Sequence, residues 1–262
     1  MARVFSFIGG RMQSNWFVIN TKREYAKIRL FCFPYAGGSA QVFHGWERHL
    51  PEDIEVVCIQ YPGRANRLHD PLIDDCAGMV ESLVNEIQPL LDKPFAFLGY
   101  SMGALVSFEL ANALRERGNF HQIFHFLCAF KAAHLCKADL ERYRLSDDDL
   151  KQELLKLGGL NAQLLRDDDF MSFILPIIRS DFHLVDKYDG KFAGKLRSNA
   201  LVIYGSDDHS MTPEDALQWE SLISGQVRFR EIKGSHFFIN THTHELLSIV
   251  GQELRALASA YL

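Results

Sequence analysis

A serine stands between two glycines in Gly99-Tyr100-Ser101-Met102-Gly103, where a buried apolar run, Phe95 to Leu98, gives way to apolar residues at helical spacing, Leu105, Phe108 and Leu110. Glycine on either side removes the β-carbons that would block a sharp strand-to-helix turn, and such a turn lifts the serine oxygen clear of the sheet. The chemistry open to that oxygen is attack on an acyl carbon. A serine hydroxyl is a weak nucleophile near neutral pH, so it needs a general base in contact and a third group that fixes the tautomer of the base.

The chain contains eleven histidines, and His236 is the one in the right setting. Small residues precede it in Lys233-Gly234-Ser235, it follows the last apolar strand pattern, and a long helical pattern begins soon after. For the acid, Asp207 and Asp208 follow the run "ALVIYG". The Gly-x-x-Asp spacing from Gly205 favours Asp208, with Asp207 as a solvated neighbour and Asp181 as a more distant alternative. The resulting order, Ser, acid, His, is that of α/β hydrolases. Negative charge that builds on a substrate carbonyl oxygen needs fixed donors. The backbone N–H of Met102, directly after the nucleophile, is one, and Ala36 N–H, beside Tyr35 in the loop of "LFCFPYAGGSAQVF", is the other. That loop lacks both the dinucleotide fingerprint and the P-loop lysine. His242-Thr-His244 has no accompanying carboxylate or cysteine set and reads as helix-start surface, so no metal is expected.

The elements that must position these groups alternate. Strand patterns run over Ile28 to Phe33, Ile54 to Gln60, Phe95 to Leu98, Ile123 to Phe130, Ala200 to Tyr204 and Val227 to Ile232, with Trp16 to Ile19 as an edge strand. Helical patterns cover Gln41 to Leu50, Asp75 to Leu91, Met102 to Arg117, Pro213 to Ile223 and His242 to the C-terminus. Near-continuous apolar strands between helices predict an α/β fold with a mostly parallel sheet covered on both faces. Residues 135–188 break the rhythm with helices alone. Ser146 and Asp167 look like N-caps followed by first-turn carboxylates. A helical insertion there lies beyond the carboxyl ends of the strands, where such sheets bind ligands, and so predicts a lid. Its apolar residues Leu150, Leu154, Leu157, Phe170, Phe173 and Ile174 are expected either to pack on the main domain or to line an acyl tunnel.

The 262 residues show no linker, repeat or low-complexity tract, which predicts one domain over 1–262 with the lid at 135–188. A net charge of −5 gives no basic field for nucleic acid. The N-terminal apolar stretch is broken by Gly9, Gly10 and Arg11, a poor secretion signal, and no run has membrane-spanning length. Five cysteines without metal-type spacing predict reduced, buried thiols in a cytoplasmic protein.

With these residues in place, the chain resembles the type II thioesterases, the stand-alone hydrolases that accompany polyketide and nonribosomal peptide synthetases. The likeness runs from Ile28 to about Leu247 through Phe33-Pro34-Tyr35-Ala36-Gly37-Gly38-Ser39-Ala40, Tyr61-Pro62-Gly63-Arg64, Gly99-Tyr100-Ser101-Met102-Gly103-Ala104, "LSDDDLKQELLKLGGL", "LPIIRSDFHLVDKY", Gly205-Ser206-Asp207-Asp208, Trp219 and Gly234-Ser235-His236-Phe237-Phe238. The resemblance implies an α/β-hydrolase fold with a mobile helical lid. It also implies hydrolysis of acyl groups from the phosphopantetheine arm of acyl or peptidyl carrier proteins, by a monomer with no cofactor and no nucleic-acid or membrane partner. Arg64 is then a possible contact to the pantetheine phosphate, the alternative being a brace for its Pro-Gly turn. The sequence departs from the family at Tyr100, where many members have histidine, and at Lys131, where arginine is common. A thiol leaving group, with a pKa of about 8.5, departs with little help. Other readings are a carboxylester hydrolase, an off-loading enzyme that releases finished product, and a non-catalytic carrier-binding module.

Overall fold

The apolar runs become strands, and their pairing decides where the chemistry sits. The computed structural model describes residues 14–119, 121–136, 140–159, 163–190 and 194–260, together with two short N-terminal strands, β1 (Phe7–Ile8) and β2 (Arg11–Met12), which pair antiparallel. The main sheet has seven strands: β3 (Phe17–Val18), β4 (Ile28–Phe33), β5 (Ile54–Ile59), β6 (Phe95–Tyr100), β7 (Gln122–Cys128), β8 (Asn199–Gly205) and β9 (Val227–Ile232). Their order is β3-β5-β4-β6-β7-β8-β9, and only β3 runs antiparallel to its neighbour. From β4 the chain winds first to β5 on one side and then to β6 on the other. The reversal leaves a crevice outside the carboxyl ends of β4 and β6, the place where open α/β sheets take ligands. The Tyr35 loop and Ser101 both emerge there.

Strands β4, β5 and β6 are buried at every residue because helices cover both faces. Side chains alternate between two cores. Phe31, Phe33, Val57, Ile59, Phe95 and Phe97 face α1 (Cys76–Ile87) and α2 (Met102–Glu116). Leu30, Cys32, Val56, Cys58, Ala96 and Leu98 face the long C-terminal helix, Thr243–Ala260, and the turns around Phe43 and Trp46. The outer strand β9 exposes Arg228, Arg230 and Glu231, charges that discourage edge-to-edge pairing.

Between β7 and β8 the described residues hold α3 (Asp147–Leu157) and α4 (Asp168–Asp186). Ser146 caps α3 by accepting from Asp149 N–H, and Asp167 caps α4 by accepting from Phe170 N–H, as their spacing predicts. These helices share a small core of their own, Leu150 and Leu154 against Met171, Leu175, Ile178 and Phe182. After β8 come α5 (Pro213–Leu217), α6 (Phe238–Thr241) and α7 (Thr243–Ala260).

The structure corrects two helical expectations. Gln41 to Leu50 is two separate 3-10 turns, Ala40–Phe43 and Trp46–Arg48, because Gly45 between them takes the left-handed φ of 81°. The Pro213 helix likewise tightens into a 3-10 segment at Gln218–Leu222. All five cysteines are buried and free. Among the described residues, no helix is long and apolar enough to cross a membrane. Residues 137–139 and 160–162 of the 135–188 segment lie outside the described residues.

Candidate active site

Ser101 occupies the turn between β6 and α2 with φ 52° and ψ −121°, a conformation that costs a non-glycine residue about 1–3 kcal/mol. Its flanking glycines make that turn possible. A β-carbon on Gly99 would lie 2.4 Å from Ala104 Cα, and one on Gly103 would lie 2.1 Å from the Phe33 carbonyl oxygen. Neither obstacle is a movable side-chain tip. Ser101 N–H donates to the Cys128 carbonyl at 2.8 Å, which ties the elbow to the end of β7.

Ser101 Oγ lies 3.0 Å from His236 Nε2, and His236 Nδ1 lies 2.8 Å from Asp208 Oδ2. Residues 28 and 135 positions apart in sequence are thus hydrogen-bonded in series. The turn after β8 supplies the acid and the loop after β9 the imidazole. Asp208 is buried, whereas Asp207 is exposed and uses its N–H on the Gly234 carbonyl at 2.9 Å, which settles the geometry in favour of Asp208. Burial opposes ionisation of Asp208, but bonds and charge from His236, helped by Ser210, outweigh it and hold its carboxyl below the usual range. Ser210 donates its hydroxyl to Asp208 Oδ1 at 2.6 Å and its backbone N–H to the same oxygen at 2.9 Å, and its hydroxyl stands 3.0 Å from His236 Nδ1. The Tyr100 hydroxyl donates to the His236 carbonyl at 2.6 Å and accepts from Ile239 N–H at 3.2 Å, so the residue before the serine also holds the backbone of the histidine.

A cavity of about 690 Å³ opens over Ser101. Ala36 and Met102 line it beside Tyr35, and among the described residues neither backbone N–H donates to a protein acceptor. Its apolar wall includes Phe130, Leu154, Leu157, Phe182 and Val185, and its charged lining includes Lys131 and Lys156. Burial pushes the thiol of Cys136, another lining residue, up to about 11, which favours its protonated form.

The structure decides between the two readings of Arg64 and corrects that of Phe173. Arg64 does not line this cavity. It is 3% exposed, and its guanidinium is spent on Asp181, at 2.6 and 2.8 Å, and on the carbonyls of Pro62 and Gly38. It is a brace, and Asp181 is its partner rather than an acid for His236. Phe173 is neither tunnel nor core, being 46% exposed on the outer face of α4. Of the residues weighed with it, Leu154 and Leu157 line the cavity, and Leu150 lies in the small core of the insertion. The His242 and His244 side chains bond Thr241 Oγ1 and stack on His49, respectively, and the described residues contain no group of three metal-ligating side chains.

The sequence profile of the thioesterase domain family matches residues 28–254. The chain belongs to this thioesterase family. It is a thioester hydrolase of α/β-hydrolase fold. It is 35% identical to the gramicidin S biosynthesis protein GrsT of Aneurinibacillus migulanus over 92% of this chain and 94% of that one. Among solved structures it resembles RedJ, a thioesterase from the prodiginine pathway of Streptomyces coelicolor, at TM-score 0.83 and 31% identity, covering 88% of this chain and 87% of that one. It also resembles BorB, the type II thioesterase of the borrelidin cluster, at TM-score 0.84 and 28% identity, covering 91% and 97%.

Three contacts at this site escaped sequence reasoning: those of Ser210, of Asp181, weighed only as an acid, and of Tyr100, weighed only as a departure from the family. Ser210 stands two residues after Asp208, the offset at which an aspartate accepts from a following N–H, and that spacing was a usable signal. Asp181 stands on a helix face with Ile177 and Ile178, and a carboxylate in an apolar stripe implies a buried partner. The link from Tyr100 to His236 crosses 136 residues and had no local signature.

Proposed function

We propose that this thioesterase removes acyl groups from the phosphopantetheine arm of carrier proteins in a synthetase pathway, acting as an editing enzyme through an acyl-Ser101 intermediate. The observation that carries the reading is the series Ser101 Oγ, His236 Nε2, His236 Nδ1, Asp208 Oδ2, at 3.0 and 2.8 Å, facing the cavity. Ser101 Oγ attacks the thioester carbon as its proton passes to His236 Nε2. Asp208 holds Nδ1–H and stabilises the imidazolium. The N–H groups of Ala36 and Met102 take the oxyanion. Collapse breaks the C–S bond, and His236 returns the proton to the departing sulfur. Water then attacks the acyl ester, giving its proton to Nε2, and Ser101 leaves with that proton while the carboxylic acid is released. No cofactor enters these steps.

Carrier-arm recognition is supported by the lysines of the cavity wall. Lys131 and Lys156 are the cations placed for a phosphate, since Arg64 is committed to Asp181. The helices of 135–188 act as a lid within a single domain, and the protein works as a monomer in the cytoplasm, where its thiols stay reduced. The near end-to-end match to GrsT and to BorB, which is described as a type II thioesterase, supports the editing role.

The test is intact-mass monitoring of several acyl-loaded carrier domains, beside matched oxyesters and full-length product thioesters. Rapid unloading of short, stalled acyl groups is expected, together with fluorophosphonate labelling of wild type and not of folded Ser101→Ala. Faster release of full-length product would make it an off-loading enzyme. Preference for oxyesters would reject the carrier-arm substrate.

A further inference from the structure

Arg64 and Asp181 form a buried charge pair that takes no part in proton transfer, yet both touch the loop that carries Ala36. Asp181, on the C-terminal half of α4, is 0% exposed. Its Oδ2 accepts from Gly37 N–H at 2.7 Å and from Arg64 Nη1 at 2.6 Å, while Oδ1 accepts from Arg64 Nη2 at 2.8 Å. Arg64 Nη1 also reaches the Gly38 carbonyl at 3.3 Å. The pair therefore grips the turn at two successive residues, by the N–H of one and the carbonyl of the next.

The turn is closed by a third bond, from Gly38 N–H to the Tyr35 carbonyl at 2.9 Å. That bond bears directly on Ala36. The Tyr35 carbonyl and Ala36 N–H belong to the same planar trans peptide and point in opposite directions. Holding the carbonyl toward Gly38 therefore holds Ala36 N–H the other way. Gly37 sits at φ 77°, a soft position that would let the turn relax if its N–H were released. An apolar pair could fill the same volume as Arg64 and Asp181 at no loss of stability. It could not accept Gly37 N–H.

We propose that Arg64 and Asp181 are positioning residues for the oxyanion hole, holding the Tyr35–Gly38 turn so that Ala36 N–H faces the cavity. This rests on the reading of Ser101 as nucleophile.

The experiment compares two double variants, Arg64→Met/Asp181→Asn and Arg64→Met/Asp181→Leu. Both remove both charges, so neither strands a buried ion, and only the first keeps an acceptor for Gly37 N–H. Two ligands are measured: an acyl-pantetheine trifluoromethyl ketone, which forms a tetrahedral adduct on the serine with a full oxyanion, and the matching amide, which binds without reacting. The leucine double variant is expected to bind the ketone about 30-fold more weakly, less than the roughly hundred- to thousandfold cost of losing an oxyanion donor outright because the N–H is displaced and not removed. It should bind the amide within about twofold of wild type and lose kcat with KM little changed, while the asparagine variant keeps most of the ketone affinity. Equal loss for ketone and amide, no loss for either, or identical behaviour of the two variants would overturn the inference. Should the leucine variant not fold, Arg64→Met/Asp181→Val carries the same expectation of a ketone-selective loss, because it too removes both charges and the acceptor for Gly37 N–H; a loss equal for both ligands overturns it. Wild type serves as the control for the nucleophile. If the ketone forms no adduct on wild-type Ser101, the serine reading falls and the inference with it; if it does and the variants bind it unimpaired, only the inference falls.

Discussion

Tyr100→Phe removes a single oxygen from the strand end that carries the nucleophile, and the structure says what that oxygen does. Tyr100 is 0% exposed, and its hydroxyl serves the His236 carbonyl and the Ile239 N–H together. Ile239 lies in the first turn of α6, where an N–H has no partner within the helix. Phenylalanine fills the same space, so no cavity forms, but a buried carbonyl and a buried N–H are each left unmatched, at about 1–3 kcal/mol apiece. The expected destabilisation is about 2–6 kcal/mol, which at roughly 2–4 °C per kcal/mol lowers Tm by about 4–24 °C. The freed carbonyl belongs to His236, the proposed base. Displacement of a positioned group by about 1 Å can cost about a hundredfold, so a smaller drift of the imidazole should lower kcat roughly tenfold with KM nearly constant. Thermal unfolding beside steady-state hydrolysis of an acyl-pantetheine thioester measures both. An unchanged Tm would refute the claim that the hydroxyl satisfies buried groups, and a lowered Tm with unchanged kcat would refute the claim that it positions His236.

Asp208→Asn should lower turnover by about a thousandfold or more, because the paired carboxylate fixes the tautomer of His236, while Asp207→Asn, on the solvent side, should change it only a few-fold. Leu157→Ala, in the cavity wall, should shift kcat/KM toward longer acyl chains by roughly fivefold per methylene, whereas Phe173→Ala should leave both the chain-length profile and Tm nearly unchanged. A pH-dependent stability effect is expected at Glu109, whose carboxyl burial raises to about 7 despite a hydrogen bond from Tyr188. Between the unfolded value of about 4.5 and 7 the unfolded chain sheds this proton before the folded one, so stability falls across that window, and above it the folded state carries the full cost of a buried charge. Glu109→Gln should therefore raise Tm by several degrees at pH 8 and change it little at pH 5, as thermal scans at the two pH values would show.

What was legible in the sequence was what local pattern controls. Strands β4 and β9 begin and end where their apolar runs do, and Ser101, Asp208 and His236 could each be placed from an element boundary, because they stand just past the ends of β6, β8 and β9. The illegible part was contact across long separations. The sequence Tyr61-Pro62-Gly63-Arg64 reads as a turn with an exposed cation, and nothing local says that Asp181, 117 positions away, buries it. Periodicity put Phe173 on a face with Phe170 and Ile174, but a helix that packs on one narrow neighbour has room for only part of an apolar stripe, and Phe173 fell outside it. The helix expected from Gln41 failed for a local reason that was visible and underweighted, Gly45 in mid-pattern.

Both halves of α4 share the apolar core with α3, the second through Ile178 and Phe182, but the second is also tied to the main body by polar bonds. The first half, up to Leu175, contributes Met171 and Leu175 to apolar contacts with Leu150 and Leu154 of α3. The second half is tied to the main body by polar bonds: Asp181 to Arg64 and Gly37, His183 Nδ1 to the Asp74 carbonyl at 2.8 Å, and, just past the helix, Tyr188 to Glu109 at 2.5 Å. Pro176 stands between them, and its missing N–H leaves the Ser172 carbonyl without its helical donor. Lifting the second half would separate a buried ion pair, at about 3–5 kcal/mol, and would release Gly37 N–H in the same movement. Opening on the α3 side breaks apolar contacts, partly recovered when an acyl chain replaces them, and two ion pairs with exposed carboxylates, Asp147–Arg179 and Lys151–Asp168, each worth about 0–1 kcal/mol. On the proposed reading, the oxyanion turn stays intact only if the second half of α4 stays down, so α3, with Leu154 and Leu157 facing the cavity, is the wall expected to move.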